Sequence, residues 1–305
     1  MASPVAVIVN AAAGAGRDAA ALDTLRSALE RAGLDAQLLA ARSGAETLEL
    51  AQAAARERPA ILVAAGGDGT VNSVATVARE HGLALGVLPL GTLNHFAKGI
   101  GIPADIDGAA AVLATGERRQ VDCAEVNGRL FLNNSSLGIY PWMVRERDRR
   151  QRSGERKLWA LAWATLSALR RAPFLSVEVG TATGAARRYR TPFVFIGNNE
   201  YVMEGFSIGS RASVEGGILS AYVMQHGTRR SMLALGLRAL TGRLRQARDF
   251  EVIRAEALVV DTRHRVVPVA TDGEVALMRT PLRYRVHRRG LTVVAPPAAK
   301  PPPEA

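Results

Sequence analysis

Across roughly the first 120 residues, short aliphatic runs alternate with stretches whose apolar residues recur at helical spacing, and few folds satisfy that rhythm. VAVIV (5–9) precedes Leu22, Leu25 and Leu29, with Gly33 as the stop. QLLA (37–40) leads to Ser43-Gly-Ala-Glu46, a capping-box spacing that opens a helix carrying Leu48 and Ala51. ILVAAG (61–66) runs into Gly67-Asp68-Gly69-Thr70, and ALGVLPL (84–90) runs into Gly91-Thr92. Repeated βα units of this kind predict an α/β domain with a parallel sheet and helices on both faces.

From about Val121 the rhythm changes. Leu282, Tyr284 and Val286 alternate with Arg283, Arg285 and His287, the period of a strand exposed on one side. Similar runs occur at 174–179, 189–197, 219–225, 250–260 and 266–270, with helical patterns near 155–171 and 229–245. The expected organisation is therefore an α/β domain over 1–122 and a mainly antiparallel β domain with helical inserts over 123–295. The proline-rich remainder, 296–305, is expected to be extended and disordered.

In an α/β sheet, ligands bind beyond the carboxyl ends of the strands, where backbone N–H groups and helix N-termini face open space. Gly66, Gly67 and Gly69 stand at such a place. Lacking a Cβ, they let backbone amides come close to phosphate oxygens, while Thr70 can cap the following helix or donate its hydroxyl. Asp68 amid those donors would repel phosphate, so it makes sense chiefly as a ligand to Mg²⁺ or to a water network between them. A tight strand-to-helix turn with an aspartate near the helix N-terminus is the competing structural reading. Two further glycine-bearing loops, NAAAGAG (10–16) and LGTLNHFA (90–97), follow the first and fourth strands, so three loops should converge on one sheet edge. Neither the GxxxxGK[ST] spacing of a P-loop nor a strict GxGxxG is present.

The 39 Lys and Arg against 28 Asp and Glu leave a formal charge of +11, which favours an anionic partner. Cys123 is the single cysteine, so no internal disulfide can form, and a reducing cytoplasmic setting is expected. The five histidines are too dispersed to suggest a metal cluster. The N-terminus lacks the basic lead of a signal peptide. The longest strongly apolar uncharged run, 158–169, falls well short of the ~20 residues that span a bilayer.

Taken in order along the chain, residues 10–16, GGDGTVN (66–72), LPLGTLNHFAKGIGIP (88–103), VDCAEVNGRLFLNNSSLGIYP (121–141) and TDGE (271–274) resemble the diacylglycerol kinase catalytic domain family, which includes bacterial diacylglycerol kinases and sphingosine kinases. GGDGT by itself also has relatives in NAD kinases and phosphofructokinases. The resemblance implies a two-domain fold, ATP and Mg²⁺ as cofactors, and an acceptor hydroxyl delivered from a membrane. It implies that Asn10, Ala11, Ala12, Ala13 and Gly14 surround the nucleotide together with Gly66, Gly67, Asp68, Gly69, Thr70, Val71 and Asn72, and with Thr92 and Asn94 of the later loop. It further implies that Glu274 receives the acceptor's proton, with Asp272 beside it, a pairing that suits phosphoryl transfer. Asp-Gly is also a common two-residue hairpin connection.

The chain departs from the family's pattern in several places. Ser73 stands where Glu is frequent, His95 where Asp is frequent, and alanine near 40 or 41 where some relatives have threonine. Some bacterial members hold a structural Mg²⁺ through an Asp-Asp-Gly segment; the matching stretch SVEGGI (213–218) has glycine in place of the key aspartate, leaving Glu215 as a substitute.

Arg145, Arg147, Arg149, Arg150, Arg152, Arg156 and Lys157 precede an apolar stretch in which Trp159 and Trp163 lie one helical turn apart. That arrangement suits peripheral contact with an anionic membrane surface, and it equally suits a solvated loop before a core helix. The basic stretch with Arg229, Arg230, Arg238, Arg243 and Arg245 carries the same two readings. No recognised nucleic-acid module is present. The expected function is an ATP-dependent lipid kinase; a soluble NAD kinase-like enzyme and a nucleotide- or lipid-binding protein with reduced catalysis are the alternatives.

Overall fold

The computed structural model describes residues 5–11, 19–139, 141, 174–181, 184, 186–202, 210–211, 213–224 and 250–297. The basic and tryptophan-bearing stretches at 145–171 and 229–245, Ala12, Ala13 and Gly14, and the tail beyond 297 lie outside these residues. The chain divides into two compact units, Met1–Val121 with Arg289–Ala305, and Asp122–Arg288.

The first unit follows the expected βα order: β1 (Val5–Asn10), α1 (Ala19–Arg31), β2 (Ala36–Ala41), α2 (Gly44–Arg56), β3 (Ile61–Gly66), α3 (Asp68–His81), β4 (Ala84–Pro89), α4 (His95–Gly99) and α5 (Ile106–Thr115). β1 pairs in parallel with both β2 and β3, and β3 pairs in parallel with β4, so the strand order is β2-β1-β3-β4. The path thus runs one way from β1 to β2 and the other way from β2 to β3. With right-handed crossovers, α1 falls on one face and α2 and α3 on the other. The reversal makes the gap between β1 and β3 the switch point of the sheet, the place where an open α/β sheet leaves a crevice beyond its strand ends.

Local chemistry sets the helix ends. Ser43 Oγ accepts from Glu46 N at 3.2 Å, and Glu46 Oε2 accepts from Arg42 N at 2.7 Å, which completes the capping box at α2. Gly33, at φ +73, takes the left-handed turn that follows α1.

The second unit is antiparallel. Its strands begin with β5 (Glu117–Val126), β6 (Arg129–Phe131), β7 (Asn134–Gly138), β8 (Leu175–Thr181), β9 (Arg187–Thr191) and β10 (Phe193–Asn198). They continue with β11 (Tyr201–Val202), β12 (Ser210–Arg211), β13 (Leu219–Met224), β14 (Phe250–Ala255), β15 (Ala257–Thr262), β16 (Val266–Thr271), β17 (Glu274–Arg279) and β18 (Leu282–Ala295). One sheet runs β14-β13-β10-β7-β16-β17; a second contains β9, β8, β15 and the first half of β18. Their facing residues form one core: Leu137, Val194, Ile196, Val223 and Val269 from the first sheet, Val179, Leu258, Val260, Leu282 and Tyr284 from the second. Ser135 and Tyr284 share a buried hydrogen bond at 3.2 Å, and burial pushes the tyrosine hydroxyl well above its ordinary value. Beyond Arg288 the chain returns to the first unit, where Val293 pairs in parallel with Leu85. The fold is therefore an α/β domain with a parallel sheet and an antiparallel β domain, as the periodicity predicts.

Candidate functional site

The first cluster forms at the switch point. β1 ends on Asn10, whose Nδ2 donates to Thr70 Oγ1 at 3.0 Å. One residue, Gly67, separates β3 from α3, and no side chain caps that helix. The first helical bond is Val71 N–H to Gly67 O at 3.0 Å, so the amides of residues 68–70 point out of the helix end without an intrahelical acceptor. A helix terminus in that condition, with its partial positive charge, is suited to an anion.

A second loop is stitched against the first. Leu90 N–H donates to Gly66 O at 3.1 Å. The Asp68 carboxylate accepts from His95 N at 3.2 Å and from Phe96 N at 3.1 Å, capping the short α4. Asn94, at φ +50, folds back on its own turn: its Oδ1 accepts from Gly91 N at 3.1 Å and its Nδ2 donates to Gly91 O at 2.8 Å. The approach is close enough to require glycine. A Cβ on Gly91 would lie 2.5 Å from Gly67 Cα, and one on Gly66 would lie 2.5 Å from Thr70 Oγ1.

Asn10, Gly66, Gly67, Asp68, Gly69, Thr70 and Asn94 are thus gathered at one sheet edge. Ala11 continues the edge through a bond from its N–H to Ala41 O at 2.8 Å, Asn72 lies one turn into α3, and Thr92 is exposed on the second loop. Val71 is turned into the core, so its side chain is unavailable to a ligand. Gly91 and the amides of His95 and Phe96 join the set.

These residues fit a nucleotide phosphate with its Mg²⁺. They offer backbone donors, space where a Cβ would intrude, and in Asp68 one carboxylate. Mg²⁺ is commonly held by one or two carboxylates together with substrate phosphates rather than by an all-protein cage. Each Asp68 oxygen accepts one N–H and keeps a second lone pair.

In the second unit, Asp272 and Gly273, at φ +48 and +87, make the two-residue turn that joins β16 to β17. The turn reading of DGE therefore holds at this pair. The Asp272 carboxylate is spent on structure: it accepts from Leu132 N at 2.7 Å, Asn133 N at 2.8 Å and Asn134 N at 3.1 Å. Glu274 is free of such duties and its side chain is 56% exposed. Arg129 Nη2 donates to Glu274 Oε2 at 2.8 Å, and Arg129 Nε donates to Thr271 Oγ1 at 2.9 Å, so the guanidinium bridges both ends of the turn. Sequence reasoning missed Arg129. It follows the Asn127-Gly128 turn within VDCAEVNGRLFLNN, where no periodicity marks it as a partner of a residue 145 positions away.

At the stretch expected to resemble a structural Mg²⁺ loop, the donors are wrong for a metal. Gly217 N–H donates to Asp122 Oδ2 at 2.6 Å, and Arg288 Nε donates to Gly217 O at 3.2 Å while its Nη2 reaches Glu256 at 2.7 Å. A Cβ on Gly216, where the second aspartate of that segment would fall, would lie 2.8 Å from Asn199 Oδ1, so an amide oxygen stands in the space the aspartate would need. Among the described residues no group of three His, Cys, Asp or Glu side chains could hold a metal ion. The residues present do not fit that second site.

Comparison with known proteins agrees with this architecture. Residues 4–126 match the Diacylglycerol kinase catalytic domain, and residues 143–295 match the YegS C-terminal NAD kinase beta sandwich-like domain. Diacylglycerol kinases of Staphylococcus aureus strains JH9 and Newman are each 41% identical over 113 residues, which is 36% of this chain and 36% of theirs. The crystal structure of a diacylglycerol kinase from Bacillus anthracis str. Sterne is similar at TM-score 0.70 and 21% identity, over 97% of this chain and 98% of that one. A second structure from the same strain reaches TM-score 0.76 at 23% identity, over 97% and 96%. Over residues 4–126 the chain carries the diacylglycerol kinase catalytic domain, and over 143–295 it belongs to the family of the YegS C-terminal NAD kinase beta sandwich-like domain; it spans about a third of the length of the curated relatives it matches.

Proposed function

We propose that this protein is an ATP-dependent lipid kinase that transfers the γ-phosphate to a hydroxyl of a lipid such as diacylglycerol or a sphingoid base, yielding an intermediate for phospholipid metabolism. The observation that carries the reading is the pair of glycine turns stitched together at the sheet's switch point beside an uncapped helix N-terminus. The amides of residues 68–70 would hold phosphate oxygens, Asn10 fixes Thr70, and Asp68 would hold the Mg²⁺. Bound ATP supplies the transferable phosphoryl group, so the protein's task is positioning and charge neutralisation. Glu274 accepts the proton of the lipid hydroxyl at its carboxylate, and Arg129 keeps that carboxylate oriented. Asp272 holds the turn beneath it. The acceptor resides in a bilayer, so the enzyme works peripherally at the cytoplasmic membrane face.

The test is incubation with labelled ATP and Mg²⁺ and an acceptor panel: vesicles containing diacylglycerol or sphingosine, and NAD in solution. Label in a lipid product is the expected result. Label in NAD alone would support the soluble-enzyme reading, and label in neither would overturn the kinase reading.

The glycine contact gives a second check. Gly91→Ala forces two backbones apart, since the new Cβ meets Gly67 Cα rather than a flexible side chain. The expected results are a loss of about 1–3 kcal/mol in urea unfolding and, by calorimetric titration, at least about tenfold weaker ATP binding, equivalent to 1.4 kcal/mol.

A further inference from the structure

Four large apolar side chains are exposed among the described residues, and two of them share one face of one hairpin. Val266 and Leu277 are 48% and 66% exposed. In the β16–β17 register, Val266 stands opposite Arg279, Pro268 opposite Leu277, and Ala270 opposite Val275. Alternation sends Val267, Val269, Ala276 and Met278 into the sandwich core and leaves Val266, Pro268, Val275, Leu277 and Arg279 on the outer face, where Ala270 is itself buried. β17 is the edge of its sheet. The outer set contains no carboxylate, and Arg279 lies within it, exposed. Arg263 and Arg265, also exposed, flank it on the connection into β16.

The geometry points to this hairpin face as the surface that docks on an anionic phospholipid bilayer. Scattered single apolar residues on a surface are ordinary; the Pro268–Leu277 pair with Val266 beside it, on a carboxylate-free face with arginines at the margin, has the composition of an interfacial contact. Leu277 follows Glu274 by three residues along one extended strand, about 10 Å at ~3.3 Å per residue, and the alternation that turns Leu277 outward gives Glu274 the other face, with Ala276 and Met278. The docking face rests on the kinase reading only for its link to turnover; the face itself can be tested without catalysis.

The experiment is sedimentation of the full chain, without ATP, on phosphatidylcholine vesicles with and without phosphatidylglycerol. The wild type should bind the phosphatidylglycerol vesicles and release them at high salt, as exposed arginines on an anionic surface require. Val266→Asp with Leu277→Asp should weaken binding about tenfold or more, with an unchanged melting temperature. Arg279→Glu, an exposed single change that cannot disturb the core, should weaken it about fivefold. Turnover of a short-chain, water-soluble acceptor should stay within about twofold in both variants while turnover of a vesicle-borne acceptor falls with binding. A wild type that ignores phosphatidylglycerol, or folded variants that bind as it does, would overturn the docking face. Absent turnover of both acceptors with binding lost in the variants would instead support the face and reject the kinase reading.

Discussion

Glu274→Gln will lower phosphoryl transfer to a lipid hydroxyl by about 10²–10⁴-fold, the range of a positioned general base, and will leave the fold intact. The glutamine keeps the shape but cannot accept the acceptor's proton. The structural cost is small because Glu274 is more than half exposed and its one ion pair is with a similarly exposed Arg129; such surface pairs contribute about 0–1 kcal/mol. ATP binding, which the proposal assigns to residues of the first unit, should be unchanged. Initial rates with labelled ATP, set beside a urea unfolding curve, check both halves. Turnover retained in Glu274→Gln would remove the carboxylate from the chemistry and leave the Arg129 pair as a surface contact.

Asp272→Ala carries the opposite signature. Three backbone N–H groups, of Leu132, Asn133 and Asn134, would lose their shared acceptor. Each partly buried orphan costs about 1–3 kcal/mol, so with partial rehydration a total near 3–5 kcal/mol is expected. The backbone adds to it, because position 272 sits at φ +48, a region Asp and Asn tolerate better than alanine. Asp272→Asn should accordingly fall between wild type and Asp272→Ala in urea unfolding. Activity should fall with stability through the displaced turn. Native stability with lost turnover would mean that Asp272 takes part in the reaction itself.

The two variants separate roles that the sequence presents as one motif. Asp-Gly reads both as a hairpin connection and as the start of an acidic pair, and the structure uses the first acid for the hairpin and leaves the second exposed. The βα half of the chain was legible because its signals are local: the Ser43 box, the Gly33 stop and the aliphatic runs each depend on neighbours within a few positions. The β half was legible in period but not in partition. The run 189–197 is two strands, interrupted at Pro192, which has no N–H to give a ladder. The run 250–260 is also two, and nothing in Ala255-Glu256-Ala257 announces it; β14 pairs with β13 in one sheet and β15 pairs with β8 in the other. Arg129 and the Gly67–Gly91 contact stayed hidden for the same reason. Both depend on which distant loops meet, and composition does not record that.

The most direct measurement is a crystal structure with Mg²⁺ and a non-hydrolysable ATP analogue. Phosphate oxygens should lie within hydrogen-bond distance of the backbone N–H groups of residues 68–70, between the turns at 66–67 and 91–94. Phosphates bound elsewhere on the chain, with those amides facing only solvent, would contradict this placement.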